Sequence, residues 1–187
     1  MPEDAQLRSK PHLGRIVHIG QGEYQVAADP NACLGTILGS CVATVIWDPI
    51  ARVGGLNHLL LPSSKVRDTG KFGHDVNLME LLINGVLQAG AHRGNLRAKM
   101  FGGAKMIEGL GTAGEVNSDF VSRFLSDEEI PCVARSLGGQ FARRLRVWPA
   151  LGTVQQLRLR DYQGEDSSFE NRKLDTSALR LSGVELL

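Results

Sequence analysis

The chain has 187 residues, 42% of them apolar and 22% charged, which suits one soluble domain with a core of its own. Its net charge of +1 and lack of a long basic run give no bulk-charge support to nucleic-acid or membrane-surface binding. Cys33, Cys41 and Cys132 form neither a disulfide framework nor a C-x-x-C or zinc pattern, no secretory signal opens the chain, and no apolar run reaches a membrane span, so the expectation is a cytoplasmic protein with no membrane insertion.

Residues 1–13 are polar, carry Pro2 and Pro11, and read as a mobile N-terminal arm. Arg15–Ile19 and Tyr24–Ala27 are short strands around a Gly20-Gln-Gly-Glu23 turn. Leu34-Gly-Thr-Ile-Leu-Gly-Ser-Cys41 then makes a Gly/Thr/Ser-rich approach to the apolar run Val42–Trp47, a strand buried on both faces. Asp48-Pro49-Ile50-Ala51 has the residues of a four-residue turn. The chain returns as Arg52–Leu61, and Pro62 ends the strand. If Asp48–Ala51 is the loop, Trp47 faces Arg52 and Cys41 faces His58, with Cβ atoms about 4.5–5.5 Å apart. A bulge at Gly54-Gly55 would shift this register by one and turn His58 to the other face.

A polar loop from Ser63 precedes the clearest helix, His74–Gly90, in which Val76, Met79, Leu82, Ile83, Val86 and Leu87 recur at helical spacing. Leu96–Phe101 alternates as a strand. A glycine-rich connection over 109–114 leads to a second helix starting near Ala113–Val116 and carrying Phe120, Val121 and Phe124. Pro131–Arg135 is a strand, and Arg143–Trp148 with Thr153–Leu159 a hairpin around Pro149–Gly152. The cluster Arg143-Arg-Leu-Arg146 alternates with apolar residues and reads as a strand edge rather than a nucleic-acid patch. Residues 164–187 are mostly polar and read as a flexible tail or a weak appendage ending in Val184-Glu-Leu-Leu187. The order of strands, helix, strand, helix and strands implies α/β layering rather than a doubly wound sheet.

Cys41 and His58 are the candidate chemistry. A thiol acts as nucleophile when a base takes its proton, and His58 is placed to do so. The small residues Gly39 and Ser40 let the backbone turn so that its N–H groups can face a reacting carbonyl as an oxyanion site. By residue type alone a core cysteine beside a structural histidine fits the pair equally well. Cys33 and Cys132 read as core fillers.

Gly39-Ser-Cys-Val-Ala43, Trp47-Asp-Pro49, Gly54-Gly-Leu-Asn-His58 and Leu61-Pro62 closely resemble the CheD family, the chemoreceptor glutamine deamidases of bacterial chemotaxis. The likeness continues through Ala98-Lys-Met-Phe-Gly-Gly-Ala104, Met106, Gly138-Gly139 and Arg144, in order, over roughly residues 14–160. The resemblance implies a three-layer α/β sandwich with mixed, largely antiparallel sheets, similar to the catalytic domains of deamidating toxins. It assigns 14–163 as the deamidase domain. It implies a Cys–His–Thr site in which Cys41 matches the nucleophile, His58 the base and Thr36 the residue that orients the imidazole. Gly39 and Ser40 then flank the oxyanion position, and neither cofactor nor metal is required. The implied substrates are chemoreceptor cytoplasmic domains, with a CheC-type phosphatase as a further partner and a monomer as the working form. The chain departs from the family at Thr112-Ala-Gly-Glu-Val-Asn117, where members often carry Ile-Gly-x-Arg-Asn. It departs again at Ser136-Leu137, where an aspartate commonly precedes the Gly-Gly pair, and in the long tail. These departures bear on recognition and leave an interaction module with little catalysis as the alternative, besides a transglutaminating activity on the same glutamines.

Overall fold

The computed structural model describes residues 15–61, 72–105, 113–159 and 184–186. The arm over 1–13, the polar loop over 63–71, the connection over 109–112 and the tail apart from 184–186 lie outside the described residues.

Among the described residues, ten strands form two five-stranded sheets. One holds Ile16–His18 (β1), Cys33–Leu38 (β3), Ala142–Trp148 (β8), Thr153–Leu159 (β9) and Val184–Leu186 (β10), in the order β1-β3-β8-β9-β10. The other holds Tyr24–Ala27 (β2), Val42–Asp48 (β4), Val53–Leu59 (β5), Arg97–Gly102 (β6) and Cys132–Leu137 (β7), in the order β2-β5-β4-β6-β7. Among the described strands, only β1–β3 and β6–β7 pair in parallel. Among the described residues, two α-helices, Phe72–Gln88 (α1) and Ala113–Asp127 (α2), pack on the second sheet. The layers are therefore helices, sheet, sheet: the expected α/β sandwich of mixed, largely antiparallel sheets.

Each layer follows from side-chain period. In α1, Leu78, Met79, Leu82, Ile83 and Val86 form one buried stripe against Val42, Ile46 and Leu59. Gly90, at φ +107°, closes the helix in the left-handed conformation that favours glycine, with its N–H on the Leu87 carbonyl. In β4 the alternate residues Ala43, Val45 and Trp47 point the other way, into a core shared with Leu34, Leu38, Leu145, Val147 and Val154 of the first sheet. With cores on both sides, β4 has no polar face, which is why it reads as a continuous apolar run.

The structure corrects three expectations. Leu34–Cys41, read as a Gly/Thr/Ser-rich approach with no strand of its own, is mostly strand: Cys33–Leu38 is β3, paired to β1 and β8, and Gly39–Cys41 remains as the connection. The arginine cluster is not a sheet edge, because β8 lies between β3 and β9. Arg143 shares the inner face with Leu145 and is buried, with its guanidinium on the Gly102 and Gly138 carbonyls at 3.1 and 2.5 Å.

The third correction is the hairpin register. Ala43, not Cys41, stands opposite His58, and Asp48 pairs with Val53. The cause is the Asp48 side chain, whose Oδ1 accepts from the N–H groups of Ile50 (2.7 Å) and Ala51 (3.0 Å), while its carbonyl accepts from Arg52. Asp48 thus belongs to the strand, and the loop becomes 49–52 with Arg52 at φ +55°. No bulge interrupts Gly54-Gly55. These glycines permit close approach instead: a Cβ on Gly55 would meet Leu82 Cδ1 of α1 at 2.6 Å, and one on Gly54 would meet the Pro149 carbonyl at 2.6 Å.

Candidate active site

The three-residue link Gly39–Cys41 carries the chain from β3 in one sheet to β4 in the other. Cys41 therefore sits at the seam of the sandwich, half-buried and packed on the core between the sheets. His58 lies on the second sheet with its side chain on the same inner face as Leu56. Cys41 precedes β4 by one residue and packs on the core between the sheets, the side that His58 also faces; it lies two positions before Ala43, the residue opposite His58, rather than directly across from His58.

Thr36 reaches His58 from the opposite sheet. Its Oγ1 lies 2.9 Å from His58 Nδ1 and 2.9 Å from the Ile19 carbonyl oxygen. These contacts fix the tautomer. A carbonyl only accepts, so the Thr36 hydroxyl donates to Ile19 and its oxygen receives the proton of His58 Nδ1–H. The Ile19 oxygen is also 3.4 Å from Nδ1, which again requires Nδ1 to be the protonated nitrogen. Nε2 is then the lone-pair nitrogen. It is buried and has no hydrogen-bond partner among the described residues. An unpaired acceptor in a buried position is free to take a proton.

The His58 backbone is held as firmly as its ring. Its N–H donates to the Glu23 carbonyl at 3.0 Å, and its carbonyl accepts from Gly22 at 2.8 Å, so the 20–23 turn caps the end of β5. Burial lowers the His58 pKa, opposed by the Ile19 carbonyl and the Glu23 carboxylate. Burial pushes the Cys41 thiol up to about 11, with its own backbone N–H acting the other way. At neutral pH the resting pair is therefore a neutral thiol and a neutral imidazole.

The turn itself is pinned at each carbonyl. Gly39 O accepts from Ala104 N at 2.9 Å, Ser40 O from Asn117 Nδ2 at 2.8 Å, and Cys41 O from Gly103 N at 2.8 Å. Gly102, at φ +113°, has no room for a side chain, because a Cβ there would run into the Cys41 carbonyl. The sequence reading brings Thr36, Gly39, Ser40, Cys41 and His58 to this corner of the fold, and the structure adds Ile19, Glu23 and Asn117. Ile19 acts through its main-chain carbonyl, which sequence cannot flag, and Glu23 through both its carbonyl and its carboxylate. Asn117 had a usable signal: it is a polar residue on the buried i, i+4, i+8 face of α2 with Val121 and Leu125.

Among known proteins, the family model described as "CheD chemotactic sensory transduction" matches residues 60–158. That span begins after His58, so the family model does not itself cover Thr36, Cys41 or His58. A Rhizobium etli protein named "Probable chemoreceptor glutamine deamidase CheD" is 52% identical over 147 residues, covering 76% of this chain and 79% of the relative. A Cereibacter sphaeroides protein of the same name is 50% identical over 142 residues, covering 76% and 71%. Among solved structures, Bacillus licheniformis hypothetical protein YfiH aligns with TM-score 0.41 and 13% identity, covering 68% of this chain and 61% of that one. Neisseria meningitidis protein NMB0706 aligns with TM-score 0.39 and 9% identity, covering 66% and 62%.

Proposed function

This chain belongs to the CheD family, and from that premise we propose that it is a cytoplasmic protein-glutamine deamidase acting on chemoreceptor cytoplasmic domains, with Cys41 as nucleophile and His58 as base. The observation that carries the mechanism is the Thr36–His58 contact, which leaves Nε2 as the free proton acceptor.

Because both groups rest neutral, the proton moves as the bond forms. His58 Nε2 takes the Cys41 S–H proton while sulfur attacks the carboxamide carbon. The oxyanion is met by backbone N–H groups of the Ser40–Cys41 turn. The C–N bond then breaks, the imidazolium gives its proton to the departing ammonia, and a thioester remains. His58 next deprotonates a water, which attacks the thioester; the thiol recovers its proton and glutamate is released. Thr36 keeps the ring in one tautomer and orientation throughout. Each turnover replaces a neutral receptor side chain with a carboxylate.

Purified protein incubated with receptor cytoplasmic fragments is expected to give glutamine-to-glutamate mass shifts, and Cys41→Ala to abolish them. Persistence in Cys41→Ala sinks the mechanism. The alternative is a module that binds receptors or a CheC-type phosphatase with little catalysis. Receptor pull-down without any mass shift in the parent protein would establish that alternative.

A further inference from the structure

We propose that Asn117 is a positioning residue of the reaction, which aims the Cys41 N–H at the developing oxyanion through the Ser40 carbonyl. The proposal rests on the deamidase reading. Asn117 is 1% exposed, and both ends of its amide are engaged with main chain. Nδ2 donates to Ser40 O at 2.8 Å, and Oδ1 accepts from Leu61 N at 2.9 Å. One partner can only accept and the other can only donate, so the amide has a single orientation.

The consequence comes from the peptide unit. The Ser40 carbonyl and the Cys41 N–H belong to one planar trans group and point in opposite directions. Fixing the carbonyl toward α2 therefore fixes the N–H away from α2. Of the three pinned carbonyls in the turn, those of Gly39 and Cys41 are held by backbone N–H groups of Ala104 and Gly103. Only the middle one is held by a side chain. It is also the one whose peptide bears the N–H next to the nucleophile. The same amide ties down Leu61, three residues beyond His58, so the approach to β4 and the exit from β5 share one anchor.

Asn117→Asp separates the two contacts. Above the titration of the introduced carboxyl, which burial raises and which is read from the pH profile of the variant, the carboxylate still accepts from Leu61 N but cannot donate to Ser40 O; Asn117→Ala loses both. Deamidation of a receptor cytoplasmic fragment is measured beside alkylation of Cys41 by iodoacetamide, a displacement that forms no oxyanion, and beside thermal unfolding. For Asn117→Asp, kcat is expected to fall about 10²–10³-fold, the size of one lost oxyanion donor. KM and the alkylation rate are expected to stay within about threefold, as befits a transition-state contact. A folded variant with kcat within about threefold of the parent overturns the proposal, and so does alkylation falling in step with kcat, because then the residue merely holds the fold. If neither variant unfolds cooperatively, Asn117 is a folding determinant and the proposal falls. An inactive parent sinks the deamidase reading and this proposal with it, whereas active variants beside an active parent sink this proposal alone.

Discussion

The Thr36 hydroxyl serves His58 in a way a thiol–imidazole pair alone cannot. A free imidazole exchanges its proton between two nitrogens, and only one tautomer leaves Nε2 able to accept. Replacing Thr36 with valine keeps the volume and removes the contact to Nδ1. The expected result is a kcat about 10²-fold lower, within the range that a general base supplies. The buried Nδ1–H left short of its acceptor also costs about 1–3 kcal/mol of stability, read by denaturant unfolding. A kcat equal to the parent's would mean the ring is oriented by Ile19 alone. At this scale the sequence was informative where chemistry is carried by a side chain. Cys41 and His58 stood out as residue types, and Thr36 came through family likeness. The Ile19 and Glu23 carbonyls were invisible, because every residue has one.

Asp48 shows how a single side chain governs an element. Its residue type announced a turn, yet its carboxylate changed which residues the turn contains. Besides Ile50 and Ala51, it accepts from His92 N at 2.9 Å and Asn95 Nδ2 at 3.3 Å, tying the hairpin to the segment that leads into β6. Burial alone would raise its pKa; these hydrogen bonds outweigh burial and hold it down at about 2. A depressed carboxyl contributes stability above its unfolded value of 3.8 that is lost as pH falls toward 2. Asp48→Asn turns an NH₂ toward donors, so a loss of about 1–3 kcal/mol at pH 7 is expected, shrinking as the parent is acidified through that window. A gap that does not narrow would place the cost elsewhere. The missed strand β3 has a related explanation. Gly35 and Thr36 interrupt its apolar pattern: Ile16 of β1 crowds the first, and the hydroxyl of the second meets His58 Nδ1 and the Ile19 carbonyl. Close packing and chemistry overrode propensity, and neither is visible in a local window.

For the whole molecule, the layering was legible and the partition into sheets was not. Alternation marked nearly every strand, and helical spacing marked both helices, so the α/β class followed. Which strands share a sheet depends on long-range pairs such as β3 with β8, and no local pattern encodes them. The buried thiol has an effect at this scale. Its folded pKa of about 11 exceeds the ordinary 9.0, so the folded state holds that proton more tightly. This contribution is complete below pH 9 and is lost as pH rises toward 11. Thermal unfolding of the parent is expected to weaken across that window more than that of Cys41→Ser; parallel curves would show that the thiol ionises alike in both states.

The Thr36–His58 contact bridges two sheets, and the strand bearing Thr36 is braced on one side by β8, more than a hundred residues further along the chain. A nascent chain that has emerged through β5 already carries Thr36, Cys41 and His58, yet lacks both Asn117 and the brace that sets Thr36 against the imidazole. Competence then arrives late in synthesis, after the hairpin of β8 and β9 has docked. On the proposed mechanism, the cysteine then has no oriented base until the last strands of the sheet bearing Thr36 are in place.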